Sequence, residues 1–203
     1  LNASRPWGSF MVVDTREKES ELRHVSISEG GELMGTINGI VSTSMLGFHR
    51  ARVLFENNIV SFSRGEDALN IKYASGVSVR NNTFTQTNSD AFDCDSCSGV
   101  IERNHFETIG TGANLHTGFG NTGGDGIDLS FAHDLQVRNN IIVGATDKGI
   151  SIGERSKSVV EGNKIFKNNI GIAVKDSSLA DLEENIIIGN QIGIELYRKK
   201  EIY

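Results

Sequence analysis

The sequence predicts an all-β protein folded as a right-handed parallel β-helix, a solenoid with three strands in each coil and about 22–23 residues per coil. Two repeated features of the 203-residue chain predict this fold. The first is a six-residue phrase that begins with a polar or branched residue, continues with Gly or Ala, and then alternates apolar and polar residues. The second is an asparagine that follows each phrase at a nearly constant distance.

The phrase has the period-two pattern of a strand with one buried face. Its copies occupy residues 67–72, 90–95, 125–130, 148–153, 170–175 and 192–197. Stacking the copies places two rows of side chains inside the solenoid. The first row is Leu69, Phe92, Ile127, Ile150, Ile172 and Ile194, and the second is Ile71, Cys94, Leu129, Ile152, Val174 and Leu196.

The repeated asparagine predicts a ladder of side-chain amides along the solenoid. Its members are Asn58, Asn82, Asn104, Asn140, Asn163 and Asn185, at intervals of 24, 22, 36, 23 and 22 residues. Amides stacked at the ~4.8 Å spacing of neighbouring strands can bond to one another inside a turn, so that no donor or acceptor is left bare.

The pattern divides the chain into two parts. Residues 1–38 carry it weakly, and we expect an incomplete N-terminal coil with strands near residues 7–13 and 22–27 on either side of a charged turn at 14–21. Residues 39–203 carry the regular repeats and are expected to form a single domain. Because the chain opens with Leu1 rather than Met and closes inside a coil, we expect it to be a piece of a longer protein.

One coil is longer than the others, because 35 residues separate Asp90 from Asp125. The surplus is the glycine-rich run 110–124, which re-enters the repeat directly before Asp125. We expect this insertion to overhang the acidic face of the solenoid, since insertions in solenoids map to loops on the binding face. A tolerated surface excursion explains the same run.

Composition narrows the function classes. The net charge of −6 and the lack of a basic stripe argue against nucleic-acid binding, and no apolar run reaches the length of a membrane span. A polysaccharide is the expected partner, and the protein is expected to be secreted or associated with the cell envelope. Cys94 and Cys97 are interpreted as small core residues, because one pair makes neither a four-ligand zinc site nor a disulfide framework.

Acidic residues align in columns when the phrases are stacked. The first column contains Asp67, Asp90, Asp125 and Lys148, the second Asn70, Asp93, Asp128 and Ser151, and the third Lys72, Asp95, Ser130, Gly153 and Lys175. Carboxylates ~5 Å apart repel one another when ionised, which raises some of their pKa values unless a cation or lysine compensates.

Three interpretations of these columns stay open. Two aspartates could serve as general acid and general base on a glycosidic bond. Alternatively, Asp93, Asp95 and Asp128 could bind Ca²⁺ while Lys148 or Lys175 acts as the base of a uronate lyase. The third interpretation is that the charges only form ion pairs between coils and fix their stacking.

The predicted function is lyase or hydrolase chemistry on an acidic, uronate-type glycan, on the face formed by Asp90, Asp93, Asp125, Asp128 and Lys148. The alternative is a non-catalytic carbohydrate-binding or adhesive β-helix module. Candidate roles are catalysis for Asp90, Asp125 and Lys148; Ca²⁺ binding for Asp93, Asp95 and Asp128; and substrate binding for Lys175, Glu154, Lys72 and His116.

The repeats resemble the β-helix proteins of the pectate-lyase-like superfamily over roughly residues 39–200. Residues 88–93 (NSDAFD), 124–129 (GDGIDL), 147–153 (DKGISIG) and 171–175 (GIAVK) are similar, in order and register, to the four motifs of polygalacturonase-type glycoside hydrolases. The phrase at 147–154, together with 174–178 (VKDSS), resembles secreted bacterial β-helix domains more closely.

The resemblance implies roles for three residues. Asp90 and Asp125 would be catalytic carboxylates, and Lys175 would bind a substrate carboxylate. This chain departs from the polygalacturonase motifs at Gly124, at Lys148 in place of a histidine, and at Ala173 in place of an arginine.

Overall fold

The computed structural model describes residues 7–31, 35–37, 39–111 and 123–202. The strands, in chain order, are β1 (Phe10–Val13), β2 (Glu19–Arg23), β3 (Ser26–Ser28), β4 (Gly35–Ile37), β5 (Ile40–Ser42), β6 (Ser44–His49), β7 (Arg52–Glu56), β8 (Ile59–Ser61), β9 (Asp67–Lys72), β10 (Val77–Arg80), β11 (Thr83–Thr85), β12 (Asp90–Asp95), β13 (Gly99–Glu102), β14 (His105–Ile109), β15 (Ile127–Ser130), β16 (Leu135–Arg138), β17 (Ile141–Ala145), β18 (Lys148–Gly153), β19 (Lys157–Glu161), β20 (Lys164–Phe166), β21 (Ile170–Lys175), β22 (Leu179–Glu183), β23 (Ile186–Ile188) and β24 (Ile192–Tyr197).

The strands form three parallel sheets, because each full coil contributes one strand to each sheet. Within the described residues, sheet 1 has the order β1-β6-β9-β12-β15-β18-β21-β24, sheet 2 the order β2-β7-β10-β13-β16-β19-β22, and sheet 3 the order β3-β8-β11-β14-β17-β20-β23. The chain is therefore a right-handed parallel β-helix, as the repeat predicted. β4 and β5 pair antiparallel outside the three sheets, which the sequence pattern did not indicate.

The N-terminal segment joins all three sheets. β1 pairs with β6, β2 with β7 and β3 with β8. Residues 10–28 thus place one strand on each of the three sheets, where the sequence predicted only two strands; β2 begins inside the predicted turn 14–21, and β3 is a separate strand.

The core is the stack of inward side chains that the phrase predicted. Leu69, Phe92 and Ile127 are neighbours in register on sheet 1, and all three are fully buried. The last coil departs from the prediction, because Ile194 is 46% exposed and Leu196 is 76% exposed. Both belong to β24, the last strand of sheet 1, and no described strand covers them.

The predicted asparagine ladder is confirmed. In a typical step, the side-chain amide of Asn82 donates to Oδ1 of Asn104 at 2.9 Å and to the carbonyl of Phe55 at 2.9 Å. The backbone N–H of Asn82 donates to the same Oδ1. A second, shorter ladder, which was not expected from the sequence, links Asn168 to Asn190 after the last strands of sheet 3.

The interpretation of the two cysteines needs correction. Cys94 does occupy an inward position and is fully buried, but it forms a disulfide with Cys97. Cys94 is the last inward residue of β12, and Cys97 lies in the turn that leads to β13, which brings the two sulfurs together. A C-x-x-C spacing at the end of a strand permits this pairing.

The two ends of the long insertion meet. The hydroxyl of Thr146 accepts the N–H of Gly124 at 2.9 Å and donates to the carbonyl of Gly110 at 3.1 Å. The expectation that the insertion overhangs the acidic face concerns residues 112–122, which lie outside the described residues.

Candidate functional site

The first acidic column is formed as predicted, and its carboxylates cap the next coil. The backbone N–H of Asp125 donates to Oδ1 of Asp90 at 2.7 Å, and the N–H of Lys148 donates to Oδ1 of Asp125 at 2.9 Å. Asp67 pairs in register with Asp90 one coil earlier. The column is thus a continuous row of side chains along the start of sheet 1.

A break in the alternation at the start of the sheet 1 strands makes the first acidic column point to the outer face. Ala91 and Phe92 are consecutive, yet both are fully buried. Gly126 takes the position of Ala91 in the next coil, and a Cβ there would lie 2.7 Å from Cγ2 of the core residue Ile142. The second and third positions of the phrase both point inward, which breaks strict alternation. The first position therefore points outward, on the same side of the sheet as the fourth. Asp125 and Asp128 therefore share one face.

Lys148 is held between two carboxylates. Its Nζ lies 3.2 Å from Oδ1 of Asp125 and also donates to Asp147. Burial alone would lower the pKa of Lys148, but the charge of Asp125 and the bond to Asp147 raise it above its usual value. Lys148 is therefore a cation in the folded protein at neutral pH.

The aspartates of the first column hold protons unusually strongly. Burial and the charges of Asp125 and Asp128 raise the pKa of Asp90 well above its ordinary value. Burial and the charge of Asp128 raise the pKa of Asp125 to about 7, although Lys148 acts in the opposite direction. Burial and the charge of Asp90 also raise the pKa of Asp67. At neutral pH the column therefore contains both protonated and ionised carboxyl groups.

The second column contains polar groups that lack partners. Asp93 accepts a 2.6 Å bond from the amide of Asn70, and burial and the charge of Asp67 raise its pKa well above the ordinary value. Asp128 and Ser151 are neighbours in register. Among the described residues, neither the buried Oδ1 of Asp128 nor the Oγ of the fully buried Ser151 has a hydrogen-bond partner.

The third column pairs bases with acids. Nζ of Lys72 lies 2.7 Å from Oδ2 of Asp95. Nζ of Lys175 lies 3.8 Å from Oδ1 of Asp128, across the strand that carries Gly153. A Cβ on Gly153 would lie 2.6 Å from Cε of Lys175, so the glycine makes room for the lysine stem. The lysine head therefore reaches two coils back to the acidic cluster.

Three of the predicted carboxylates converge, and they differ from the predicted calcium ligands. One oxygen each of Asp90, Asp125 and Asp128 lie within 4.8 Å of one another, the one such group found among the described residues. Asp93 and Asp95, which we assigned to the metal with Asp128, are bonded instead to Asn70 and Lys72.

The remaining predicted substrate ligands are dispersed. Glu154 forms an ion pair with Lys200, beyond the end of β18. Lys175 and Lys72 border the acidic cluster, on opposite sides of it along the solenoid. His116 lies outside the described residues. Sequence reasoning missed Asp147 and Ser151 as members of the site, although Asp147 directly precedes Lys148 and Ser151 occupies the second column.

Comparison with known proteins gives one match. Residues 115–203 match the family model described as periplasmic copper-binding protein (NosD). The match covers less than half of the chain. No curated protein and no solved structure gives a significant match. In the part of the chain that the structure describes, no helix is long and apolar enough to cross a membrane. The C-terminal coils are thus similar to a β-helix family, in agreement with the fold.

Proposed function

We propose that this protein cleaves an acidic polysaccharide by hydrolysis on the outer face of sheet 1, in the cell envelope or outside the cell. The observation that carries the proposal is the pair Asp90 and Asp125, in which the N–H of Asp125 donates to the Asp90 carboxylate; the pKa of Asp125 is raised to about 7, and that of Asp90 is raised well above its ordinary value. Paired carboxyl groups in two protonation states are what general acid–base cleavage of a glycosidic bond requires.

Each residue has a role in this proposal. Protonated Asp90 donates its proton to the leaving glycosidic oxygen. Ionised Asp125 takes a proton from the attacking water, and exchange with solvent then restores both groups. Lys148 holds Asp125 in place and favours its ionised form, and Lys175 provides a positive charge for a uronate carboxylate.

The same contacts argue for hydrolysis over elimination. A lyase that used Lys148 as its base would need this lysine to be neutral. Its ion pairs with Asp125 and Asp147 raise its pKa instead, so Asp125 is the better base. The envelope location is supported by the matched family, which is described as periplasmic.

The test is product formation from a panel of uronic-acid polymers. New reducing ends without the ultraviolet absorbance of an unsaturated sugar are expected from the unaltered protein. Asp90→Asn and Asp125→Asn should lower the rate about 10²–10⁴-fold while leaving the melting temperature close to that of the parent. Asp181→Asn, at an exposed position on sheet 2, is the matched control. A folded protein that yields no product from any polymer would favour a non-catalytic module.

A second candidate function is the binding of a divalent cation by Asp90, Asp125 and Asp128. The convergent oxygens favour it, and so does Oδ1 of Asp128, which accepts no hydrogen bond among the described residues and has only the Lys175 ammonium at 3.8 Å. These are hard oxygen ligands, which suit Ca²⁺, Mg²⁺ or Mn²⁺.

Copper, which the matched family is described as binding, does not fit this group. Copper prefers imidazole, thiolate or thioether ligands, and the group contains none of these. The sulfurs of Cys94 and Cys97 are bonded to each other.

Calorimetric titration of metal-free protein with Ca²⁺ and with Cu²⁺ separates these cases. The cation candidate predicts one Ca²⁺ per chain and at least tenfold weaker binding in Asp128→Asn, with Asp181→Asn unchanged. Copper binding that is indifferent to Asp128→Asn would remove the acidic group from consideration as the metal site.

A further inference from the structure

A second concave site lies beyond the end of the acidic face. A cavity of about 350 Å³ occurs at the turns that follow the sheet 1 strands β9 and β12. Its described lining residues are Arg16, Ala51, Arg52, Tyr73, Ala74, Ser75, Ser96 and His133. None of the functional roles above uses any of them.

The charge of this cavity is opposite to that of the chain. Two guanidinium groups and an imidazole line it, and its described lining includes no carboxylate, in a protein whose net charge is −6. The nearby carboxylate of Asp14 is bonded to Arg50 at 2.5 and 2.9 Å rather than to Arg16. The charge of Asp14 still acts on Arg16, and Arg52 lies in register beside Glu19 on β2, but neither guanidinium is in an ion pair within the described residues. Guanidinium groups match a planar carboxylate in a two-point hydrogen bond.

The other lining residues suit a sugar ring. Tyr73 is 61% exposed, and its left-handed backbone, with φ of 55°, directs the chain out of the strand and into the turn. An exposed aromatic ring offers an apolar face with a polar tip, against which the C–H face of a pyranose can pack. Ala51 and Ala74 make a buried apolar floor, and the hydroxyls of Ser75 and Ser96 add hydrogen-bonding groups.

The cavity lies at the opposite end of the sheet 1 strands from the first acidic column. Ser96 is six residues beyond Asp90 along the same strand and turn, a distance of about 20 Å at ~3.3 Å per residue. Tyr73 directly follows Lys72 of the third column, whose Nζ lies 2.7 Å from Oδ2 of Asp95.

We propose that this cavity is a remote subsite for an acidic polysaccharide, in which Arg52 and Arg16 bind the carboxylate of one uronate unit and Tyr73 packs against its ring. The subsite rests on the proposed function for the identity of the polymer. It anchors the chain several units away from the bond that Asp90 and Asp125 cleave.

The test measures equilibrium binding in Asp125→Asn protein, so that turnover is slow compared with the measurement. Tetramers of galacturonate, mannuronate and guluronate are titrated separately, with the methyl ester of each as a neutral analogue. For the tetramer that binds, Arg52→Ala should weaken binding about tenfold, because a charged hydrogen-bonding partner is lost. Arg52→Lys should recover part of the loss, and Tyr73→Ala should weaken binding while Tyr73→Phe does not.

The matched control is Arg64→Ala. Arg64 lines a different cavity of about 330 Å³, whose lining also includes the carboxylate of Glu29. The subsite is refuted if no tetramer binds, if Arg52→Ala binds as tightly as the parent, if Arg64→Ala loses as much affinity, or if the methyl ester binds equally well.

Failure of the subsite is distinguishable from failure of the proposed function. Binding that depends on Arg52 in a protein that cleaves no polymer retains the subsite and removes the catalytic role. Cleavage that depends on Asp125, together with unchanged affinity in Arg52→Ala, retains the catalytic role and removes the subsite.

Discussion

The backbone N–H of Asp125 donates a hydrogen bond of 2.7 Å to the carboxylate of Asp90 in the preceding coil. This bond fixes the spacing of two acidic side chains through the main chain, so their proximity is a consequence of coil stacking. Each coil therefore places the first residue of its phrase next to the first residue of the preceding phrase. The charge of the site depends on which residues occupy this position.

The first prediction concerns stability and pH. The pKa of Asp125 is about 7 in the folded protein against an ordinary value of 3.8. Between these values the folded protein binds more protons than the unfolded chain, so its stability is greatest at the acidic end and declines as the pH rises. The free energy of unfolding should decrease by about 1 kcal/mol or more from about pH 4 to about pH 7.

Urea denaturation across this range measures the slope. Asp125→Asn should reduce it, whereas Asp181→Asn should retain it. A stability that rises steadily with pH over the same range would contradict the raised pKa values.

The second prediction concerns the asparagine ladder. Oδ1 of Asn140 accepts from the backbone N–H and the side-chain amide of Asn104, and its own amide donates to Ile101 and Asn163. Asn140→Ala leaves several buried groups without partners, which should lower the free energy of unfolding by about 3 kcal/mol or more. Chemical denaturation measures the change.

Gln136→Ala is the control, because Gln136 carries the same amide on the exposed face of the neighbouring strand β16. Its effect should stay within about 0.5 kcal/mol. Equal losses in the two variants would show that the ladder bonds contribute nothing beyond the side chain itself.

The third prediction concerns the disulfide between Cys94 and Cys97. A bond that closes so short a loop should contribute about 2 kcal/mol through the unfolded chain. Reductant should therefore lower the midpoint of chemical denaturation of the parent protein. It should leave the midpoint of the double variant Cys94→Ala/Cys97→Ala unchanged. Two thiols that react with a thiol reagent in the unreduced, denatured protein would show that the bond does not form.

Much of the fold could be predicted from the sequence, because a solenoid repeats one structural unit along a single axis. Each coil contacts only its neighbours, so a repeat of about 22–23 residues carries the register of all three sheets. Counting residues was therefore enough to align the core row of Leu69, Phe92 and Ile127. It also aligned Asp90 with Asp125. The β4–β5 hairpin breaks the repeat and has no periodic signal.

The details of the site were less predictable, because counting gives the columns but not the partner that each polar side chain contacts. Strict alternation does not describe the start of the phrase, where Ala91 and Phe92 both face inward. That irregularity brings Asp128 toward Asp90 and Asp125, while Asp93 turns to Asn70 and Asp95 to Lys72. Similarly, Asp147 binds Lys148 from outside the repeated columns, where stacking the phrases cannot reveal it.

The fourth prediction concerns the charge of Lys148. This lysine lowers the pKa of Asp125 by its charge, so Lys148→Gln should raise that pKa above about 7. The pH at which activity on the polymer is half-maximal on the acidic side should move upward by the same amount, since Asp125 must be ionised to act as a base. Lys157→Gln, an exposed lysine on sheet 2, should leave it unchanged. A downward shift in Lys148→Gln would mean that Lys148 does not control Asp125.

The most direct measurement is a carbon-13 NMR titration of the aspartate carboxyl groups in the folded protein, with Asp125 assigned through Asp125→Asn. The account predicts that the Asp125 carboxyl titrates with a midpoint of about 7, while Asp90 keeps its proton to higher pH than an ordinary aspartate. A midpoint for Asp125 near its ordinary value of 3.8 would contradict the account, because burial and the charge of Asp128 would then not raise this pKa and Asp125 would be only a weak base.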